Sequence, residues 1–143
     1  MNMRKLMIAI VICGIAVAAA GKTPETIDQL KAQAQSAEKG KKAELYAKLA
    51  EMQAEAANNA YNTSAEQARQ LIQDCGDSAE KASQASLDSG KRQKKTEIDL
   101  RQLYKRLDDI AKTWNFDDRA PVKDAMQRVE AARSKLLDRM FEK

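Results

Sequence analysis

A seven-residue repeat between residues 68 and 114 constrains the fold of this chain more than any other feature. One row of the repeat starts at Ala68 and a second at Ile72, and both keep their phase as far as Ile110 and Trp114. A helix completes a turn every 3.6 residues, so positions three, four and seven apart lie on one face. The repeat therefore predicts one continuous helix over about residues 64–114, about 75 Å long at 1.5 Å per residue. The repeat positions are Ala68, Ile72, Cys75, Ala79, Ala82, Ser86, Ser89, Gln93, Thr96, Leu100, Leu103, Leu107, Ile110 and Trp114.

Gly90 leaves a second interpretation of this segment open. The tripeptide Asp88-Ser89-Gly90 is typical of a helix end, since glycine takes the left-handed C-cap conformation without strain. The repeat is also polar here, at Ser86, Ser89, Gln93 and Thr96. In a continuous helix, this polar stretch would mark the place where its two packing partners exchange.

Apolar residues at helical spacing predict a first helix over about residues 24–61. Thr23 suits the N-cap of this helix. The apolar stripes that start at Ile27 and at Leu45 are in phase, since the 18 residues between them make five turns. Gly40 lies between the two stripes and is the weak point of the predicted helix.

The last helix is predicted over about residues 121–141, with Pro121 at its first position. Ser64 and Gln67 form a capping box at the start of the long helix. Short turns make consecutive helices antiparallel, and the composition is rich in strong helix formers. We therefore expect an all-α fold, an elongated antiparallel three-helix bundle or coiled coil built from one domain of residues 21–143.

The first twenty residues match a secretory signal peptide. Arg4 and Lys5 precede an uninterrupted apolar run from Leu6 to Val17, and small residues follow. Such a pattern ends in a cleavage site, which we place at about Ala20-Gly21. We therefore expect an exported protein, periplasmic or extracellular, that is soluble once residues 1–20 are removed.

The same residues disfavour two alternatives to a cleaved signal. The apolar run is shorter than the roughly 20 residues that a membrane-spanning helix needs. Cys13 lies in the middle of the run and follows the bulky Ile12, whereas a lipoprotein signal places a small residue before a cysteine at the end of its run.

The rest of the sequence carries few residues that catalysis requires. It contains no histidine, and Cys75 is its one cysteine after the signal, so an internal disulfide is impossible. No nucleophile–base pair, phosphate-binding loop or zinc-ligand spacing occurs. Loss of Arg4 and Lys5 with the signal lowers the net charge from +4 to +2, a small surplus for a nucleic-acid-binding face. We expect no enzyme activity, no cofactor, no metal and no nucleic-acid partner.

Two basic runs form the candidate interaction site. Antiparallel folding of the first two helices brings the runs within a few helical turns of each other, as a patch in the middle of the rod. Such a patch suits an anionic surface, peptide or polymer, and a solvated, charged helix face is the alternative interpretation. The residues of the two runs are Lys39, Lys41, Lys42, Lys91, Arg92, Lys94 and Lys95.

Three other features are interpreted as structural. Cys75 occupies a core position of the repeat and is predicted to be buried, whereas an accessible thiol there would favour an intermolecular disulfide. Trp114, Phe116 and Tyr104 are predicted to form a hydrophobic plug at the end of the bundle. The neighbouring carboxylates Asp108, Asp109, Asp117 and Asp118 match no EF-hand pattern. Helix N-terminal charge and a turn contact account for Asp117 and Asp118.

Five segments of the sequence carry a resemblance to known proteins. They are Lys94 to Ile98, Arg106 to Asp109, Asp118 to Val122, Glu44 to Tyr46 and Ala79 to Lys81. Together they are similar to small exported all-helical bacterial proteins. The resemblance implies export and helicity, and it transfers neither an activity nor any site residue. A tetratricopeptide repeat is excluded, because the spacing from Tyr61 to Ala68 is too short for that pattern and no second copy recurs at its period of 34 residues.

These observations lead to two functional hypotheses. The first is a non-enzymatic binding or structural module of the cell envelope, whose partner is a protein or an anionic envelope component. The second is a periplasmic chaperone-like holdase, a class that includes small exported helical proteins. Association of copies through exposed helical faces is compatible with either hypothesis.

Overall fold

The computed structural model describes residues 26–142, and every regular element in that range is helical. The predicted all-α class is therefore confirmed, whereas the predicted signal peptide and Thr23 lie outside the described residues. None of the described helices is both long enough and apolar enough to cross a bilayer. The elements are α1 (Ile27–Ser36), α2 (Lys39–Ala60), α3 (Ala65–Ser89), α4 (Gln93–Thr113), a 3-10 turn (Phe116–Asp118) and α5 (Ala120–Met140).

Helices α2 to α5 form a four-helix bundle whose members alternate in direction along the chain. The helix pair α2–α3 and the helix pair α4–α5 are antiparallel hairpins, and they meet through α3 with α5 and through α2 with α4. At one end of the bundle, hereafter the Tyr61 end, the Tyr61 hydroxyl donates a hydrogen bond to Asp118. At the opposite end, hereafter the Gly90 end, Arg92 forms an ion pair with Glu44 near the start of α2.

The prediction of a continuous helix over residues 64–114 is wrong, because the chain folds back at Gly90. Gly90 ends α3 in the left-handed conformation at φ 70°, and its N–H donates to the carbonyl of Ser86. The Ser86 hydroxyl donates to the carbonyl of Lys91 at 2.7 Å. Arg92 precedes α4 at φ 61°, also in the left-handed region. The polar stretch of the repeat therefore stabilises a turn, and the alternative helix end at Gly90 is the correct one.

The number of helices also differs from the prediction. Because α3 and α4 are separate, the expected three-helix rod is replaced by four bundle helices preceded by the short α1. The helix predicted over residues 24–61 is interrupted at Ala37 and Glu38, both extended with ψ 156° and 160°. Gly40, the expected weak point, instead lies inside α2.

The predicted starts of α3 and α5 agree with the structure. The Ser64 hydroxyl accepts a hydrogen bond from the Gln67 N–H and caps α3. Pro121 lies in the first turn of α5, where its missing N–H costs no hydrogen bond. Thr26 and Gln29 form a capping box for α1, which therefore begins later than predicted.

The repeat positions form the core even though the helix is not continuous. Outside the turn they are all buried, whereas Ser89 and Gln93 at the turn are half-buried. The α2 face that packs against α3 is rich in alanine, and these small side chains let the two backbones approach closely. Leu30 and Ala34 of α1 cover a separate cluster on α2 and α3 that includes Leu49.

Replacement of Gly90 by alanine tests the turn, because a turn and a continuous helix predict opposite changes in the free energy of unfolding. In a continuous helix, Gly90→Ala would stabilise the protein by about 1 kcal/mol through helix propensity. At φ 70° we expect the opposite, a loss of about 1–2 kcal/mol, since the left-handed region penalises any Cβ. No atom lies within 4 Å of the added Cβ, so packing does not confound the result. The measurement is urea unfolding at low protein concentration, and a rise in unfolding free energy would contradict the turn.

Candidate functional site at the Gly90 end

The two predicted basic runs are neighbours at the Gly90 end. The position that a Cβ would take on Gly40 lies 3.5 Å from Cδ of Lys91, and Nη2 of Arg92 lies 3.1 Å from Oε2 of Glu44. The runs therefore meet across the start of α2 and the α3–α4 turn. The expected position in the middle of a rod is wrong, because α4 folds back along the bundle. We call the basic patch the set of Lys39, Lys41, Lys42, Lys91, Arg92, Lys94 and Lys95.

Four cations of the basic patch are not neutralised by a carboxylate. Lys41 and Arg92 share Glu44, at 3.3 Å and 3.1 Å. Lys95 pairs with Asp99 at 2.5 Å. These pairs are largely exposed and contribute little to stability. Among the described residues, the cations of the patch without a carboxylate partner are Lys39, Lys42, Lys91 and Lys94.

The two helices that start at the Gly90 end lack the features that ordinarily stabilise a helix start. The N-cap residues Glu38 of α2 and Arg92 of α4 form no side-chain capping hydrogen bond. Neither first turn contains an acidic residue, and Lys39 and Lys94 lie there instead. A cation in the first turn is repelled by the positive end of the helix dipole. An acidic residue there would instead stabilise the helix by about 0.3–1 kcal/mol. The Gly90 end therefore combines lysines with two helix starts whose first backbone N–H groups have no capping side chain.

The starts of α1 and α3 show the ordinary arrangement. Thr26 and Ser64 cap these helices, and Asp28 and Glu66 lie in their first turns. The start of α5, at the Tyr61 end, also has neither a side-chain cap nor an acidic first turn. The Gly90 end is distinguished because two such starts lie there together, each with lysines in its first turn. Departures of this kind from local stability are concentrated at functional sites.

Apolar side chains accompany the cations on one side of the basic patch. A groove between the start of α4 and the end of α5 contains Lys94 and Lys95 together with Ile98 and Met140. Phe141 follows Met140 and is 77% exposed. The surface at this end is therefore both basic and partly apolar.

Cys75 is buried, as predicted, close to ion pairs that join α3 to α5. Burial raises the pKa of its thiol to about 12, so the thiol is protonated at neutral pH. Arg128 crosses from α5 and pairs with Asp77 and Glu80. Gly76 makes room for this guanidinium, since a Cβ there would lie 2.7 Å from Nη1 of Arg128. This neighbourhood holds two helices together and offers no accessible nucleophile.

The hydrophobic plug at the Tyr61 end consists of Trp114 and Tyr61. Their rings stack with centroids 4.3 Å apart and planes 5° apart. Trp114 Nε1 donates to Asn58 at 3.3 Å. The hydrogen bond to Asp118 raises the pKa of Tyr61 above its ordinary value.

Two members of the predicted plug do not take part in it. Phe116 is 80% exposed, and Tyr104 is half-buried in the groove between α4 and α5. Of the nearby carboxylates, Asp108 pairs with Lys112 in the same helix. Among residues 26–142, no group of three or more histidine, cysteine, aspartate or glutamate side chains is placed to hold a metal ion.

Glu97 is a buried carboxylate that the sequence analysis missed. Its side chain is 7% exposed and accepts hydrogen bonds from Arg133 of α5 at 2.6 Å and from Arg101 at 3.2 Å. Arg133 also pairs with Glu130. This network joins α4 to α5 close to the Gly90 end. Glu97, Tyr104 and Ala111 repeat every seven residues on the α5-facing side of α4, and that spacing is the signal that could have revealed it.

No protein-family profile, curated protein or solved structure matches this chain.

Proposed function

We propose that this chain is a non-enzymatic, exported helical module of the cell envelope whose basic patch binds an anionic envelope component. The observation that carries the proposal is the pair of uncapped helix starts, where Lys39 and Lys94 replace the usual acidic residues. Four lysines without a carboxylate partner and the uncapped starts of two helices lie at one end of the bundle. Concentrated positive potential of this kind attracts phosphate and carboxylate groups.

Two sources of anionic groups fit this surface, a phospholipid headgroup layer and a soluble polyanion. Both supply phosphate or carboxylate oxygens to the lysines. Exposed Phe141 follows Met140, which lines one groove with Ile98. These apolar groups favour the lipid surface, because aromatic and aliphatic side chains are stabilised at the membrane interface. A polyanion in solution gains nothing from these apolar groups.

Removal of two unpaired lysines is expected to weaken binding to both probes. For the variant Lys91→Gln with Lys94→Gln, we expect about a 25-fold loss, since each lysine near an anionic surface contributes roughly fivefold. Glutamine keeps the helix propensity of lysine, so thermal unfolding should change little. Binding is measured by sedimentation with phosphatidylglycerol-containing vesicles and by calorimetry with polyphosphate. Added salt should weaken both interactions.

The matched control is the variant Lys105→Gln with Lys123→Gln. It removes the same charge from exposed positions in α4 and at the start of α5, away from the Gly90 end. Its binding should stay within about twofold of the unaltered protein, because screening removes the effect of distant charges. Equal losses in the two double variants would refute a binding role for the basic patch.

Exchange of Phe141 for serine separates the two anionic sources. A lipid surface predicts about tenfold weaker vesicle binding with polyphosphate binding unchanged, whereas a soluble polyanion predicts no change in either. Phe116→Ser is the control, since Phe116 is 80% exposed at the Tyr61 end. The holdase hypothesis predicts instead that aggregation of an unfolded client is suppressed at near-stoichiometric ratio, equally by the unaltered protein and the lysine variant.

A further inference from the structure

We propose that two copies of this chain form a domain-swapped dimer in which the Gly90 turn opens and residues 65–113 become one helix. In this dimer, the α2–α3 hairpin of one copy packs against the α4–α5 hairpin of the other. The two long helices run antiparallel and cross at Gly90. The contacts within each four-helix unit are those of the monomer, so the turn itself decides the balance.

The shared phase of the repeat is the first observation behind this proposal. Opening of the turn leaves the core rows that start at Ala68 and at Ile72 along one seam of a single, gently supercoiled helix. The two halves of that helix then turn the same seam toward the cores of the two four-helix units, where α3 packs mainly on α2 of its own copy and on α5 of the other copy. A hairpin needs no common phase for α3 and α4, because each helix can be rotated independently toward the core. The common phase is a requirement of the open form alone.

The conformation of the turn is the second observation. Only Lys91 separates Gly90 from Arg92, and both of these residues are left-handed, with φ 70° and 61°. A left-handed arginine is strained, and a continuous helix would release that strain. Short strained connections favour exchange of elements between copies.

The basic patch makes the exchange sensitive to salt. In the open dimer, Lys91, Arg92, Lys94 and Lys95 of each copy lie close to the same residues of the other copy, around the two-fold axis. Their mutual repulsion opposes dimerisation at low ionic strength, and screening removes it at high ionic strength. The dimer should therefore increase with salt, whereas binding to an anionic component should decrease.

The test is light scattering after refolding from urea, over a range of protein concentrations and at low and high salt. We expect a monomer and a dimer, with more dimer at high salt. Gly90→Ala should raise the association constant for the dimer by about a hundredfold. In each of the two copies, the alanine disfavours the folded turn relative to the open helix by about tenfold. Insertion of a short Gly-Ser segment after Gly90 relaxes the turn and should leave only monomer. Absence of dimer in both the unaltered protein and Gly90→Ala would overturn the proposal.

A distance within one chain distinguishes the swapped dimer from association through surface faces. Spin labels at Gln73→Cys and Lys105→Cys occupy exposed positions in α3 and α4, and the buried Cys75 thiol does not react. Their 32-residue separation spans about 48 Å in a continuous helix, against less than about 30 Å across a folded bundle. With labelled chains diluted into unlabelled ones, a dimer showing the short distance would overturn the swap.

Discussion

Replacement of Trp114 by alanine is expected to lower the free energy of unfolding by about 3–5 kcal/mol. Trp114 is 2% exposed and closes the Tyr61 end of the core. The change leaves a cavity under the α4–α5 turn, removes the stacked ring pair and leaves Asn58 without its indole donor. Urea unfolding followed by circular dichroism measures the loss.

A double-mutant cycle of Trp114 with Tyr61 turns this result into a test of topology. Trp114→Phe and Tyr61→Leu should be coupled by about 0.5–1.5 kcal/mol, the usual value for an aromatic pair. In a continuous helix over residues 64–114 the two side chains would lie about 75 Å apart and their effects would simply add. Tyr104→Leu is the control, because Tyr104 faces the α4–α5 groove and should not be coupled to Trp114. Additivity in the Tyr61 cycle would contradict the bundle.

Glu97→Ala is expected to cost about 2–3 kcal/mol. Removal of a partner from a buried ion pair typically costs about 3–5 kcal/mol, because an uncompensated charge remains. The expected loss here is smaller, since Arg133 is 23% exposed and keeps its contact with Glu130. Thermal and urea unfolding at neutral pH measure the change.

The control for Glu97 is a second carboxylate on α4 that also pairs with a cation four residues later. Asp108 and Lys112 are 42% and 70% exposed, so Asp108→Ala should cost less than about 0.5 kcal/mol. A similar loss from both substitutions would show that burial of Glu97 does not determine the strength of its network.

The sequence predicts which residues are buried more reliably than how the helices are connected. Cys75, Leu100 and Leu107 are buried as the repeat predicts, because the period records which face of each helix meets apolar neighbours. The same period does not show whether a turn interrupts the helix, because two helices that face a common core can share one phase. Continuity through Gly90 therefore did not follow from the repeat.

For the candidate site too, the residues could be predicted but their position in the fold could not. Charge and spacing identified the lysines, from Lys39 to Lys95, but their place at the end of the bundle depended on the turn. Burial of Glu97 could not be predicted for a different reason. A charged residue on the side of α4 becomes buried only when α5 packs against it and Arg133 pairs with its carboxylate. Local patterns record intrinsic preferences, whereas tertiary partners decide burial of charge.

The division of the bundle into two hairpins has a kinetic consequence. In each hairpin, α2–α3 and α4–α5, the chain closes over a short connection, so most of the native contacts join segments close in sequence. Closure of short loops loses little chain entropy, and proteins dominated by such contacts fold in microseconds to milliseconds. We expect each hairpin to assemble early and their docking across the Gly90 turn to follow. α1 packs on a satellite cluster beside the main core, so among the five described α-helices its backbone amides should exchange with solvent first.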